Sequence, residues 1–117
     1  MSYTVTNLIP QLPVLNLEAA KKFYTGELNC RLEAEYPDLL IFEFEGRMLY
    51  LWLCDNKVIP ESSSFYAIVD NIEALYARYA HVSRMVVPLC TQPWGMKEFY
   101  IMDNSGNLLK FGERVAG

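Results

Sequence analysis

The chain has 117 residues, of which 52% are hydrophobic and 21% charged, and its formal net charge is −4. This composition excludes intrinsic disorder, the acidic balance excludes the basic surface that nucleic-acid binding needs, and no apolar run reaches the ~18 residues that cross a membrane. The length predicts one domain, residues 1–117. Because the first twelve residues lack the basic and apolar regions of a signal peptide, we expect a cytoplasmic protein.

The first half of the chain predicts one helix and four strands. Asn16 offers a side-chain oxygen as the N-cap of the helix, and Gly26 marks its end. Glu45-Gly46 is a tight-turn signal between two apolar runs, which predicts a hairpin. The predicted elements are an edge strand within Leu8–Leu15, interrupted by Pro10 and Pro13, a helix over Leu17–Thr25, and strands within Asn29–Tyr36, Asp38–Phe44 and Arg47–Cys54.

The same order of elements follows a polar connector, Asp55–Ser62. Asn71 is predicted to cap the second helix, and Asp103–Asn107 has the composition of a hairpin turn. The predicted elements are a strand at Ser63–Val69, a helix at Ile72–Ala80, a short edge strand at Met85–Leu89, a loop at Thr91–Gly95, and strands at Lys97–Met102 and Leu108–Phe111.

The two halves are related by a repeat. Val14–Ala19 lines up with Val69–Ala74, and Tyr24 with Tyr79, all at an offset of 55 residues. Unless this match is a coincidence between two amphipathic helices, it predicts an α+β fold of two tandem βαβββ modules, the first at about 7–54, a connector at 55–62, and the second at about 63–113. One helix cannot cover both faces of a four-stranded sheet, so the uncovered faces must meet each other or a ligand.

Few side chains suit metal or nucleophilic chemistry. His81 is the single histidine, which excludes a site with several histidines in one chain. The positions at which ligands from the two modules would converge are occupied by Ile9, Tyr50, Ser64 and Lys110. Ile9 cannot ligate, Ser64 is a poor ligand and Lys110 carries a positive charge, so we expect no metal, no cofactor and no catalytic residues.

The three cysteines are predicted to be reduced thiols in or near the core. Cys30, Cys54 and Cys90 are odd in number, and none is in a C-x-x-C spacing. Each lies in or beside an apolar strand, with no helix N-terminus nearby to activate a thiolate. Nucleophilic catalysis by a cysteine is therefore not indicated.

Aromatic side chains are the remaining candidates for a functional surface. Tyr50 and Trp52 share one face of a predicted strand, and Tyr66 lies on the fifth strand. Trp94 lies in a loop beside Gly95, where a large ring is less often part of a core. Aromatic groove walls in an acidic protein favour a flat or cationic ligand.

Residues 93–99 (PWGMKEF) and 103–107 (DNSGN) resemble the P-W-G-x-x-E-F…D-P-x-G-N signature of the bleomycin-resistance branch of the vicinal-oxygen-chelate superfamily, which includes glyoxalase I and extradiol dioxygenases. The similarity covers roughly residues 8–113. The chain departs from the family pattern at Asn104, where the family usually has proline, and at Ala34 and Leu39, which stand about where two groove aromatics fall.

The resemblance implies a homodimer with two ligand grooves at the interface and an N-terminal arm around Pro10–Pro13 that crosses between protomers. It implies a protein that sequesters a small molecule, a bleomycin-class antibiotic or another flat or cationic compound, without breaking a bond. Trp94 is expected to stack on the ligand, and Gly95 to allow a close backbone approach. The predicted ligand-binding residues are Trp94, Gly95, Trp52, Tyr66, Tyr50 and Leu39.

Two other interpretations remain open from the sequence. One is a metal-dependent lyase or dioxygenase with unusual ligands, such as Gln11 with Glu98 or Glu43. The other is a dimer whose groove holds no specific ligand. Stoichiometric bound metal would favour the first, and a groove filled by the protein's own side chains would favour the second.

Overall fold

The computed structural model describes residues 1–115, so residues 116–117 of the predicted domain lie outside the described part. No helix in residues 1–115 is long and apolar enough to cross a membrane. The elements are β1 (Gln11–Val14), α1 (Leu17–Gly26), β2 (Arg31–Tyr36), β3 (Leu39–Phe44), β4 (Arg47–Leu53), α2 (Val58–Glu61), β5 (Ser64–Ile68), α3 (Ile72–Tyr79), β6 (Met85–Thr91), β7 (Met96–Met102) and β8 (Leu108–Arg114).

The eight strands form two sheets with matching topology. Sheet one has the order β1-β4-β3-β2, and sheet two has the order β5-β8-β7-β6. In each sheet the first strand runs parallel to the last strand of its module, and the other neighbours are antiparallel. The predicted α+β fold of two tandem βαβββ modules is confirmed. Pro13 in β1 and Pro88 in β6 lie on edge strands, where a missing N–H is tolerated.

Each long helix covers one face of its own sheet. Tyr24 of α1 stacks on Phe42 of β3 with ring centroids 5.6 Å apart, and Tyr76 of α3 meets Phe99 of β7 edge-on at 5.2 Å. Phe44 contacts aromatic rings of the second module, so the helix-covered faces of both sheets contribute to one hydrophobic core. Among the elements of residues 1–115, no helix covers the opposite face of either sheet.

Two tyrosines related by the repeat bind the modules together. The Tyr24 hydroxyl donates to Oδ2 of Asp103, in the β7–β8 turn, at 2.7 Å. The Tyr79 hydroxyl donates to the carboxylate of Glu45, in the β3–β4 turn. Burial and the adjacent carboxylate raise the pKa of both hydroxyls, so both remain donors at neutral pH. Each helix therefore contacts the hairpin turn of the other module.

The N-caps of the two helices differ. Asn16 has an extended backbone, and its Oδ1 accepts from Ala19 N at 2.8 Å, as predicted. The prediction that Asn71 caps α3 is wrong: its φ of 63° is left-handed, which is unlike the extended backbone of an N-cap residue, and its side chain makes no capping hydrogen bond. The Glu113 carboxylate instead accepts from the backbone N–H groups of Asn71 and Ile72, at 3.0 and 2.9 Å.

Three further details differ from the sequence predictions. The connector contains the short helix α2. Helix α1 includes Gly26 as its last residue, whereas the sequence predicts a helix that ends at Thr25. Cys30 is buried and Cys54 half-buried, but Cys90 is exposed because it lies on an edge strand. The prediction that all three thiols lie in or near the core is therefore wrong for Cys90. Burial raises the pKa of Cys30 to about 12, so that thiol stays protonated.

Candidate functional site

The open face of sheet one carries apolar and aromatic side chains in cross-strand pairs. Leu39 of β3 lies opposite Trp52 of β4, and Ile41 lies opposite Tyr50. All four are half-buried and alternate with fully buried residues that face α1. Because alternate residues of a strand point to opposite faces, these four form one continuous surface on the side without a helix.

The open face of sheet two carries a more polar set. Tyr66 of β5, Lys110 of β8 and Tyr100 of β7 lie in one row across three neighbouring strands. In the next row Gly112 of β8 lies opposite Glu98 of β7. The missing side chain at Gly112 leaves space in which a neighbouring side chain can reach Glu98.

Glu98 is the centre of a hydrogen-bond network on this face. Its Oε2 accepts from the Tyr66 hydroxyl and from Trp94 Nε1 at 3.3 Å, and its Oε1 accepts from the Tyr100 hydroxyl at 2.6 Å. Glu98 is only 1% exposed. Burial opposes ionisation, but the hydrogen bonds from Tyr100, Tyr66 and Trp94, together with the charge of Lys110, lower the pKa of this carboxyl.

The carboxylate therefore fixes three aromatic rings. Burial and the bond to Glu98 raise the pKa of Tyr66, and the bond to Glu98, followed by burial, raises the pKa of Tyr100 to about 12. Both phenols remain neutral donors at neutral pH. With Trp94, they present rings of fixed orientation beside a buried negative charge, an arrangement that can bind a flat compound by stacking.

Gly112 is required for the position of the Tyr66 ring. A Cβ atom added at Gly112 would lie 2.0 Å from the Tyr66 hydroxyl oxygen and 2.8 Å from its Cζ. No side-chain carbon makes contacts this short, so the Tyr66 ring would have to move. Its hydrogen bond to Glu98 would then be lost.

We expect Gly112→Ala to displace the Tyr66 ring and to destabilise the fold by about 1–2 kcal/mol, because buried Glu98 loses a donor. Gly26→Ala is the matched control, since a Cβ there meets nothing within 4 Å. The control should keep the wild-type resonances of Tyr66 and raise stability slightly. Side-chain NMR spectra and urea unfolding measure both effects, and unchanged Tyr66 resonances in Gly112→Ala would contradict the assigned packing.

The structure places the six predicted ligand-binding residues on two separate faces. Leu39, Tyr50 and Trp52 share the open face of sheet one. Tyr66 and Trp94 meet at Glu98 beside sheet two, where Trp94 is 60% exposed. The sixth, at position 95, is a glycine with φ of +85°, a backbone conformation that side-chain-bearing residues rarely adopt.

The roles of Glu98, Tyr100 and Lys110 in this surface were missed from the sequence. There Glu98 enters as a residue of the family signature and as a candidate metal ligand, and Lys110 only as a residue that excludes a metal. The signal that could have found them is the period of two in β7 and β8. It puts Glu98 and Tyr100 on one face of β7, and Lys110 on the same face of β8.

The residues present do not fit a metal ion. Residues 1–115 contain no group of three or more His, Cys, Asp and Glu side chains placed to hold one. The oxygens of Glu98 already accept three hydrogen bonds, and Glu43 pairs with Arg31. Neither of the two carboxylates considered as a metal ligand together with Gln11 is therefore available.

A cleft of about 1100 Å³ lies beside β5, between the modules. It is lined by residues 7–10, the β3–β4 turn, β5 and the start of α3. Met48 of sheet one and Tyr66 of sheet two both contribute to it. The N-terminal segment that forms one wall is largely exposed, with Leu8 at 86%.

The family model "Glyoxalase/Bleomycin resistance protein/Dioxygenase superfamily" matches residues 5–111. No curated protein sequence matches the chain. Among solved structures, the bleomycin-binding protein from bleomycin-producing Streptomyces verticillus, complexed with copper(II)-bleomycin, is similar at 18% identity, with a TM-score of 0.84 and 99% of each chain covered.

Two further solved structures have the same fold. A bleomycin-binding protein complexed with bleomycin is 17% identical, with a TM-score of 0.80 over 94% of this chain and 99% of that one. A lactoylglutathione lyase from Agrobacterium tumefaciens is 19% identical, with a TM-score of 0.69 over 94% of this chain and 95% of that one. The fold is thus shared with binding proteins and with an enzyme.

Proposed function

The chain belongs to the Glyoxalase/Bleomycin resistance protein/Dioxygenase superfamily, and we propose that within it this chain is a protein that binds a small molecule without transforming it. The observation that carries this proposal is the network in which buried Glu98 holds Tyr66, Tyr100 and Trp94 on a face that no helix covers. Such a surface can hold a ligand by stacking, and the oxygens of its buried carboxylate already accept three hydrogen bonds.

We propose further that the binding unit is a homodimer. Each sheet has one face that packs into the shared hydrophobic core and one face that is uncovered. The two uncovered faces therefore lie on opposite sides of this core and cannot cover each other within one chain. Under twofold symmetry, sheet one of one protomer would face sheet two of its partner, which gives two identical grooves. Each groove would then contain Leu39, Tyr50 and Trp52 from one chain, and Tyr66 and Trp94 from the other.

The proposed ligand is an antibiotic of the bleomycin class or another flat or cationic compound. Exposed aromatic rings favour flat compounds by stacking and cationic ones by cation–π attraction. The net charge of −4 favours the approach of cations. Two of the similar structures are bleomycin-binding proteins with bleomycin bound, which makes bleomycin the first compound to test.

The chemistry of four positions supports binding over catalysis. The family resemblance places the metal ligands of the superfamily's enzymes at Ile9, Tyr50, Ser64 and Lys110. An alkyl group and an ammonium group cannot donate an electron pair to a cation, so at most two of the four could contribute. We therefore propose that the protein sequesters its ligand.

Titration with metal-free bleomycin tests this function. Trp52 and Trp94 are the two tryptophans of the chain, and both lie on the proposed groove surfaces, so their fluorescence reports on occupancy directly. We expect saturable quenching, and a stabilisation of about 2.7 kcal/mol at a bleomycin concentration 100 times Kd. Other antibiotics, aromatic cations and divalent metals form the comparison panel. Stoichiometric metal binding with no response to any organic compound would contradict the proposal.

A further inference from the structure

Lys110 is a half-buried cation whose charge is not paired. Three lysines of the chain are half-buried, and two of them form ion pairs: Lys21 Nζ lies 2.8 Å from Glu35 Oε1, and Lys97 pairs with Glu73. Within residues 1–115, Lys110 Nζ forms neither an ion pair nor a hydrogen bond. Lysine buries its alkyl stem and keeps its ammonium accessible, so Lys110 Nζ is free to bind an acceptor that approaches this face.

The surroundings hold the ammonium at the surface of sheet two. Lys110 lies between Tyr66 and Tyr100 in the row across β5, β8 and β7. Its Nζ is 5.4 Å from the centroid of the Tyr100 ring, within the range of cation–π attraction. The charge is thus positioned among the rings proposed to contact the ligand.

The nearby carboxylate makes no ion pair with Lys110. Glu98 feels the charge of Lys110, but its oxygens accept hydrogen bonds from Tyr66, Tyr100 and Trp94. The phenols that could otherwise donate to a ligand anion are committed to Glu98 as well. Lys110 is therefore a donor beside these rings that remains available.

We propose that Lys110 binds an oxyanion of the ligand, such as a carboxylate or a phenolate, while the rings around Glu98 contact the ligand's flat part. This inference rests on the proposed small-molecule function and adds one chemical requirement to it. The ligand has an anionic oxygen close to its planar group, whatever charge the rest of the molecule carries. A charge-assisted hydrogen bond of N⁺–H···O⁻ type would form when the ligand binds.

The test compares 2-naphthoate with 2-naphthamide, which have the same ring and differ in charge. By calorimetry we expect the protein to bind the naphthoate about tenfold more tightly than the amide, the preference that one charge-assisted hydrogen bond supplies. Lys110→Met should abolish that preference, and Lys110→Arg should keep part of it. Lys22→Met is the matched control, since it removes an exposed lysine from α1, and it should leave the preference unchanged.

Three results would overturn the inference: no naphthoate binding, equal affinities for the two compounds, or a preference that survives in Lys110→Met. A fourth result would also overturn it: Lys110→Met weakens the dimer, as measured by sedimentation equilibrium, but leaves naphthoate binding unchanged. Lys110 would then pair with the partner subunit and not with the ligand. Bleomycin is titrated in parallel. If bleomycin binds and naphthoate does not, the Lys110 inference fails and the proposed function stands. If neither these two compounds nor any other organic compound of the panel binds, both fail.

Discussion

Replacing Asp103 by alanine should lower the free energy of unfolding by about 3–5 kcal/mol, because several buried donors lose their acceptor together. Asp103 is 0% exposed. Its Oδ1 accepts from the backbone N–H groups of Ser105, Gly106 and Asn107 at 2.9–3.0 Å. Its Oδ2 accepts from the Tyr24 hydroxyl at 2.7 Å and from Asn107 Nδ2 at 2.8 Å.

The expected loss is large relative to the ~5–15 kcal/mol by which domains are stable. Urea unfolding measures this loss as a lower midpoint concentration of urea, with an unchanged slope of the free energy of unfolding against urea concentration. Tyr24→Phe removes one of the donors and should cost about 1–1.5 kcal/mol. Asn104→Ala is the neighbouring control, because the Asn104 side chain is exposed and makes one hydrogen bond, to Ala19 O. A loss below about 1 kcal/mol for Asp103→Ala would show that the turn does not depend on this carboxylate.

Trp94→Ala should weaken ligand binding about tenfold while leaving the fold intact. The Trp94 ring is 60% exposed, so its removal creates no core cavity. What is lost is a stacking surface and one of the donors to Glu98. Trp94→Phe keeps a ring and removes the N–H group, so it should fall between Trp94→Ala and the unchanged protein.

Calorimetry with bleomycin measures the affinity of these variants, and thermal unfolding monitors the fold. A loss of affinity accompanied by a large fall in the unfolding temperature would mean that Trp94 acts through stability. Unchanged affinity in Trp94→Ala would remove Trp94 from the binding surface.

The fold could be predicted from the sequence because its signals are local and repeated. The match between Val14–Ala19 and Val69–Ala74 indicates two modules, and the glycine turn at Gly46 indicates the first hairpin. The cap of α3 could not be predicted, because Glu113 lies more than forty residues from the N–H groups that it accepts from. Local spacing favoured Asn71, whose left-handed backbone rules it out.

The candidate site could be predicted only in part, for a related reason. Strand alternation places Tyr50 and Trp52 on one face, and a tryptophan beside glycine in a loop is rarely core, so the aromatic surfaces were accessible from the sequence. Glu98 was not. A glutamate at an alternating strand position is usually solvated, and its burial depends on rings from β5 and from the loop before β7, as the bonds from Tyr66 and Trp94 show.

A mixing experiment tests the central claim, a groove shared by two chains, most directly. Trp52→Ala and Trp94→Ala each remove one ring, from opposite walls of the proposed groove. When the two variants are mixed and allowed to exchange subunits, each mixed dimer has one groove with both tryptophans and one with neither.

At equal concentrations, about a quarter of all grooves should therefore regain wild-type affinity for bleomycin, although neither variant binds tightly alone. The double variant Trp52→Ala/Trp94→Ala is the control. Every groove of its dimers lacks both tryptophans, so it should show no sites of wild-type affinity. Calorimetry at a bleomycin concentration near the wild-type Kd measures the recovered sites. A mixture that binds no more tightly than the average of its two components would contradict the shared groove.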